Sequence, residues 1–179
     1  MLLKTKNLLE NLTEAKALKD LCVGTPGVRL IDQSLSRQDM ASLFEAADIY
    51  ASPHASEGFG LTIAEAMAMG KVVVATDFSG SRDFLDASCG FPVAFDLVTL
   101  TTDHGHYRKG GRWAQVRVQS FAEALIKGAD LLERGDYTLG DRAHARIAER
   151  LSADAVAGAM KASLAQLAPV AASVDREQL

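Results

Sequence analysis

Two carboxylates stand eight positions apart around a Gly-Phe-Gly turn: Glu57 and Glu65, within Ser52-Pro-His-Ala-Ser-Glu-Gly-Phe-Gly-Leu-Thr-Ile-Ala-Glu-Ala-Met-Ala-Met-Gly70. Between Gly58 and Gly70 the only ionisable side chain is Glu65; its neighbours are Ala, Met, Leu, Ile, Phe, Gly and one Thr. A lone carboxylate in so apolar a segment costs free energy unless something hydrogen-bonds it. A bound ligand carrying hydroxyl groups would do that. The bland alternatives are a solvated loop position for Glu57 and a salt bridge from Glu65 to Lys71 or Arg82.

The segments around this pair have a recognisable order. Ala47-Asp48-Ile49-Tyr50-Ala51-Ser52-Pro53 precedes it, Gly70-Lys71-Val72-Val73-Val74-Ala75-Thr76 follows, and Ser79-Gly80-Ser81-Arg82-Asp83-Phe84 comes next. Together they resemble the E-x7-E region of retaining glycosyltransferases with two Rossmann-like domains (the GT-B architecture). The likeness is to family 4, the glycosyl transferases group 1, and it runs from about Val28 to Val93. Ser79-Gly80 with Asp83 departs from the commoner Gly-Gly with Glu. That segment reads equally as a border of the diphosphate or as a turn opening a helix.

The resemblance implies transfer of a hexose from a nucleoside-diphosphate sugar with retention of configuration. Catalytic roles would fall to Glu57, beside the anomeric carbon, and to His54. Some relatives carry His-Arg where this chain has His54-Ala55. Donor binding would fall to Gly58, Phe59, Gly60, Leu61, Thr62 and Glu65. Glu65 would accept both ribose hydroxyls. The loop amides and the N-terminus of the following helix would face the diphosphate, where dipole and free N–H groups favour an anion. Thr62 would add a hydroxyl donor. Neither a cofactor nor a metal is expected, and no Asp-x-Asp motif is present.

These residues need a scaffold. Leu8, Leu9, Leu12, Ala15 and Leu18 recur at helical spacing, predicting a helix from about Leu3 to Cys22. Val28–Ile31 reads as a strand. Ser36 and Asp39 have capping-box spacing, and Met40, Leu43, Phe44 and Ala47 form the apolar face of the helix that follows. Strands are expected at Asp48–Ser52, Val72–Ala75 and Phe91–Phe95, with the motif helix from Leu61 to Met69 and a short one over Ser81–Leu85. Alternating strands and helices predict α/β architecture, a Rossmann-like parallel sheet flanked by helices. Leu97–Gln115 reads as irregular. Helices then follow near Phe121–Leu132, Asp141–Arg150 and Ser152–Leu167.

The expected organisation is a single nucleotide-sugar-binding domain over residues 1–168, with motif region 28–95, insert loop 96–118 and helices 119–168, and a disordered tail 169–179. Only a helix is expected before Val28, where the family's nucleotide-binding half carries two strands with a diphosphate-binding Arg and Lys. The chain therefore reads as the C-terminal part of such an enzyme, with a separate acceptor-binding half as a partner. The acceptor would be a glycan, lipid or polysaccharide precursor. A non-catalytic nucleotide-sugar-binding module is the rival reading; a phosphorylase or epimerase of the same fold ranks lower. Net charge is −4 and aromatics are 6%, which argues against nucleic acid as a partner. Leu2-Leu3 meets Lys4 at once, so no signal-peptide core forms, and a cytoplasmic placement, at most peripheral at the inner membrane face, is expected. Cys22 and Cys89 read as reduced thiols. Asp103-His-Gly-His106 suggests a metal or phosphate site, but the better reading of this insert is a structural loop with Trp113 packed.

Overall fold

The computed structural model describes residues 1–5, 8, 12–105 and 107–171. It divides into two compact units, Met1–Leu43 and Phe44–Leu179.

The first unit is built on a parallel pair of strands. β1 (Leu2–Thr5) lies beside β2 (Arg29–Asp32), with Leu2 opposite Arg29 and Thr5 opposite Asp32. Helix α1 (Leu12–Gly24) falls between them in the chain. The N-terminal ammonium donates to the Gly27 carbonyl at 2.6 Å, and Thr5 Oγ1 donates to Asp32 Oδ1 at 3.3 Å. This corrects the expected helix from Leu3 to Cys22. Residues 2–5 are extended, Leu8 lies in a 3-10 turn, α1 covers Leu12–Gly24, and a strand does precede the Val28 region; residues 6, 7 and 9–11 of that span lie outside the described residues. Four residues display no readable period, and their ladder partner lies 27 positions away. The expected capping box is present at the start of α2 (Arg37–Glu45), which straddles the division between the units. Ser36 Oγ accepts the Asp39 N–H at 3.1 Å, and Asp39 Oδ2 accepts the Ser36 hydroxyl at 2.7 Å.

The second unit holds a parallel three-stranded sheet in the order β3 (Ile49–Ser52), β4 (Val72–Thr76), β5 (Phe91–Val93). Every residue of β4 is buried, as a β-branched run covered on both faces should be. Helix α3 (Leu61–Ala68) connects β3 to β4 and buries Ile63, Ala64, Ala66 and Met67. Helix α4 (Val118–Glu133) packs Ala124 against Val74 and Val93. Helices α5 (Thr138–Leu151) and α6 (Ala153–Ala171) complete the unit, α5 lying against α3. The architecture is the expected α/β one, a parallel sheet flanked by helices.

Two local expectations change here. The segment read as irregular is a hairpin: β6 (Phe95–Thr99) pairs antiparallel with β7 (Arg112–Val116), Phe95 opposite Val116 and Thr99 opposite Arg112. Most of its positions are exposed or half-exposed on both faces, so no hydrophobic alternation marks it. The tail expected to fray from Pro169 stays helical to Ala171, and residues 172–179 lie outside the described residues. Among the described residues no helix is long and apolar enough to cross a membrane.

Candidate active site

The site is built where β3 gives way to α3. Pro53 ends the strand, the chain loops through His54 and Glu57, and α3 opens at Leu61. Gly60 is the N-cap, at φ 89° and ψ 46°, and no side chain caps the helix. A residue with a Cβ would pay roughly 1–2 kcal/mol for that left-handed conformation. Among the described residues the N–H groups of Gly58, Phe59, Leu61 and Thr62 have no hydrogen-bond partner. The Gly60 N–H differs: it donates to Glu57 Oε1 at 3.2 Å. Phe59 anchors the loop by stacking on the buried Phe84 ring at 5.3 Å.

Glu57 is clamped by its backbone. Its N–H donates to Ser79 Oγ at 2.9 Å, and its carbonyl accepts the Gly80 N–H at 3.1 Å. The approach is so close that a Cβ on Gly80 would lie 2.2 Å from the Gly58 carbonyl oxygen. Ser79, which opens a short 3-10 helix (Ser79–Asp83), sits at φ 59°, the only non-glycine at positive φ among the described residues. This segment thus buttresses the motif loop from below.

Glu65 is half-buried, and the two cations that a structural reading would give it are engaged elsewhere. Arg82 pairs with Asp77 at 3.2 Å, and Lys71 Nζ donates to the Glu45 carbonyl at 3.0 Å. Among the described residues the Glu65 carboxylate has no salt bridge and no hydrogen-bond donor. Tyr50 is the residue that sequence reasoning missed. Its hydroxyl donates to Thr62 Oγ1 at 2.8 Å. Burial pushes the phenol pKa up, and the charges of Glu57 and Glu65 add to that push. The signal in the sequence was a tyrosine two positions before the end of an otherwise small and aliphatic strand.

His54 has both ring nitrogens engaged. Nε2 lies 3.0 Å from the Phe78 carbonyl, which can only accept, so Nε2 carries the proton; Nδ1 then accepts from the Ser52 hydroxyl at 3.2 Å. In the hairpin, Trp113 is half-buried and packs against the rings of His104 at 5.1 Å and Tyr107 at 6.0 Å. Asp103 is used within the turn, accepting from Arg108 at 3.0 Å and from the Lys109 N–H at 2.7 Å. His106 lies outside the described residues. Among the described residues no three His, Cys, Asp or Glu side chains gather as metal ligands, and both cysteines are free and buried.

The site thus joins the end of a parallel strand to an uncapped helix N-terminus, with Glu57 before the turn and Glu65 one helical turn after it. The family model of the glycosyl transferases group 1 matches residues 10–129, and the chain belongs to that family. The D-inositol 3-phosphate glycosyltransferases of Mycobacterium tuberculosis and Mycobacterium bovis are 44% identical over 80 residues, which is 44% of this chain and 14% of theirs. Among solved structures, a glycosyltransferase from Rickettsia africae superposes with a TM-score of 0.64 at 18% identity, over 86% of this chain and 36% of that one. Anabaena Alr3699/HepE, solved in complex with UDP and glucose, gives 0.62 at 22% identity, over 93% of this chain and 40% of that one. At these identities the structures establish a shared fold. The chain spans well under half the length of the proteins it matches.

Proposed function

We propose that this chain forms the donor site of a retaining glycosyltransferase that moves a hexose from a nucleoside-diphosphate sugar to an acceptor. The observation that carries this reading is Glu65: a half-buried carboxylate in an apolar helix, without a partner among the described residues, one helical turn from the uncapped start of α3. Two ribose hydroxyls would supply its missing donors. The free N–H groups of Gly58, Phe59, Leu61 and Thr62 would meet the diphosphate. Thr62 already accepts from Tyr50, so its own proton is the one left for a phosphate oxygen. Diphosphate charge is thus met by amides and a hydroxyl, and we propose that donor binding needs no metal.

Glu57 would hydrogen-bond the donor sugar and stabilise positive charge growing at the anomeric carbon. Its backbone clamp by Ser79 and Gly80 serves that role by holding the carboxylate in one place before the sugar arrives. His54 would act at the sugar through Nδ1, exchanging the Ser52 hydroxyl for a sugar hydroxyl, while the Nε2 bond to Phe78 keeps the ring oriented. The acceptor would be a glycan, lipid or polysaccharide precursor, held largely by a complementary half.

Calorimetric titration of the chain with UDP and with GDP tests this reading. Saturable binding of at least one, undiminished by EDTA, is expected. Binding of neither would leave a family member without a working donor site.

A further inference from the structure

The hairpin tip carries an exposed aromatic cluster that the donor site does not use. His104 and Tyr107 flank Trp113, with ring planes inclined at 48° and 66° to the indole, so no ring is sandwiched flat by another. His104 is exposed and Tyr107 retains 47% of its accessible surface. Hydrogen bonds tie the described residues of the tip together. His104 N–H donates to the Tyr107 carbonyl at 2.8 Å and Tyr107 N–H returns a bond to His104 at 3.0 Å. The Asp103 carboxylate ties in the Arg108 guanidinium and the Lys109 amide. Exposed rings are costly to hydrate and gain nothing from the protein's core, yet here they are preorganised, which is what a binding surface needs.

The hairpin is also joined to the motif loop. Ala114, the residue after Trp113, donates its N–H to the Ala55 carbonyl at 2.8 Å, two positions before Glu57. The cluster's scaffold is therefore continuous with the loop that carries the catalytic glutamate.

We propose that His104, Tyr107 and Trp113 form a stacking platform for a neutral pyranose unit of the glycosyl acceptor. The C–H face of a pyranose carries partial positive charge and packs on the negative face of an aromatic ring. The exposed Arg108 guanidinium, which spends one N–H on Asp103, has further N–H groups at the rim to donate to its hydroxyls. This assignment rests on the donor-site reading, because an acceptor sugar has meaning only beside a donor.

Trp113 is the only tryptophan in the chain, so its emission reports the platform alone. Maltose, cellobiose and N,N′-diacetylchitobiose are titrated into the full chain while Trp113 fluorescence is followed, with UDP binding measured separately by calorimetry. The expected result is a saturable change with at least one disaccharide. Tyr107→Ala and His104→Ala should each weaken that binding, roughly threefold to tenfold for a lost aromatic contact, while leaving UDP affinity and the melting temperature unchanged. UDP binding with no response to any of the three sugars, or with a response unaltered in both variants, overturns the platform and leaves the donor site standing. A sugar response that is lost in the variants, from a chain that does not bind nucleotide, confirms saccharide binding and refutes its assignment to an acceptor.

Discussion

Replacing Glu65 with glutamine should separate function from stability. In the unliganded chain the carboxylate has no partner among the described residues, Lys71 and Arg82 being committed to Glu45 and Asp77. Removing its charge therefore costs the fold nothing specific, and the change in stability should lie within about 0.5 kcal/mol, as for a substitution that breaks no interaction. Ligand binding should suffer. Charge-assisted hydrogen bonds contribute roughly 1.5–3 kcal/mol, so losing the charge beneath two ribose hydroxyls should raise the Kd for UDP or GDP roughly tenfold to a hundredfold. Glu57→Gln is the control. A glutamine oxygen can still accept the Gly60 N–H, and a bare nucleoside diphosphate has no sugar to offer Glu57, so nucleotide affinity should hold. In an enzyme reconstituted with its acceptor half, Glu57→Gln should instead lower kcat, because its contact strengthens as charge develops. Calorimetry with the bare nucleotide, thermal melting and transfer assays together read all of this. Equal weakening by both substitutions, no weakening by Glu65→Gln, or marked destabilisation by it would refute the assigned roles.

Gly80→Ala should destabilise the chain by roughly 1–3 kcal/mol or more, since its Cβ would meet the Gly58 carbonyl at 2.2 Å; a melting curve matching the parent's would show that the clamp is looser than described. Ser79→Gly relieves the positive φ but removes the acceptor of the Glu57 N–H, so stability should be nearly kept while turnover in a reconstituted enzyme falls; unchanged turnover would remove Ser79 from the positioning role. Hydrogen bonds from Ser88, then from Arg146, hold the Asp86 carboxyl well below its ordinary value of 3.8. A depressed folded-state pKa contributes stability that is present above the unfolded value and lost as pH falls through the folded one. Urea titrations should therefore show the parent weakening below about pH 4 by more than Asp86→Asn does, and identical acid limbs would discount the contact. EDTA should leave donor binding intact, whereas a strict Mn²⁺ or Mg²⁺ requirement would count against amide-based recognition of the diphosphate.

Much of the chain was readable because its signals are short-range. The apolar helix opening after Gly60, the β-branched run of β4 and the pairing of Ser36 with Asp39 each depend on residues a few positions apart, so composition and spacing suffice. Glu65 stood out for the same reason, as a lone charge in an apolar setting, and Glu57 by its spacing from it. What the sequence left open depends on distant partners. β1 exists because Leu2–Thr5 pairs with residues 27 positions away, and β6 and β7 pair with little apolar alternation to mark them. Lys71 and Arg82 were equally plausible partners for Glu65 until the fold directed each elsewhere. Tyr50 reached Thr62, and Ser79 reached Glu57, only when the chain brought together groups 12 and 22 positions apart. Local propensity and periodicity determine which segments form helices and strands. Which side chains meet at the site is decided by tertiary packing, because a hydrogen bond requires contact at about 3 Å and sequence distance says nothing of that.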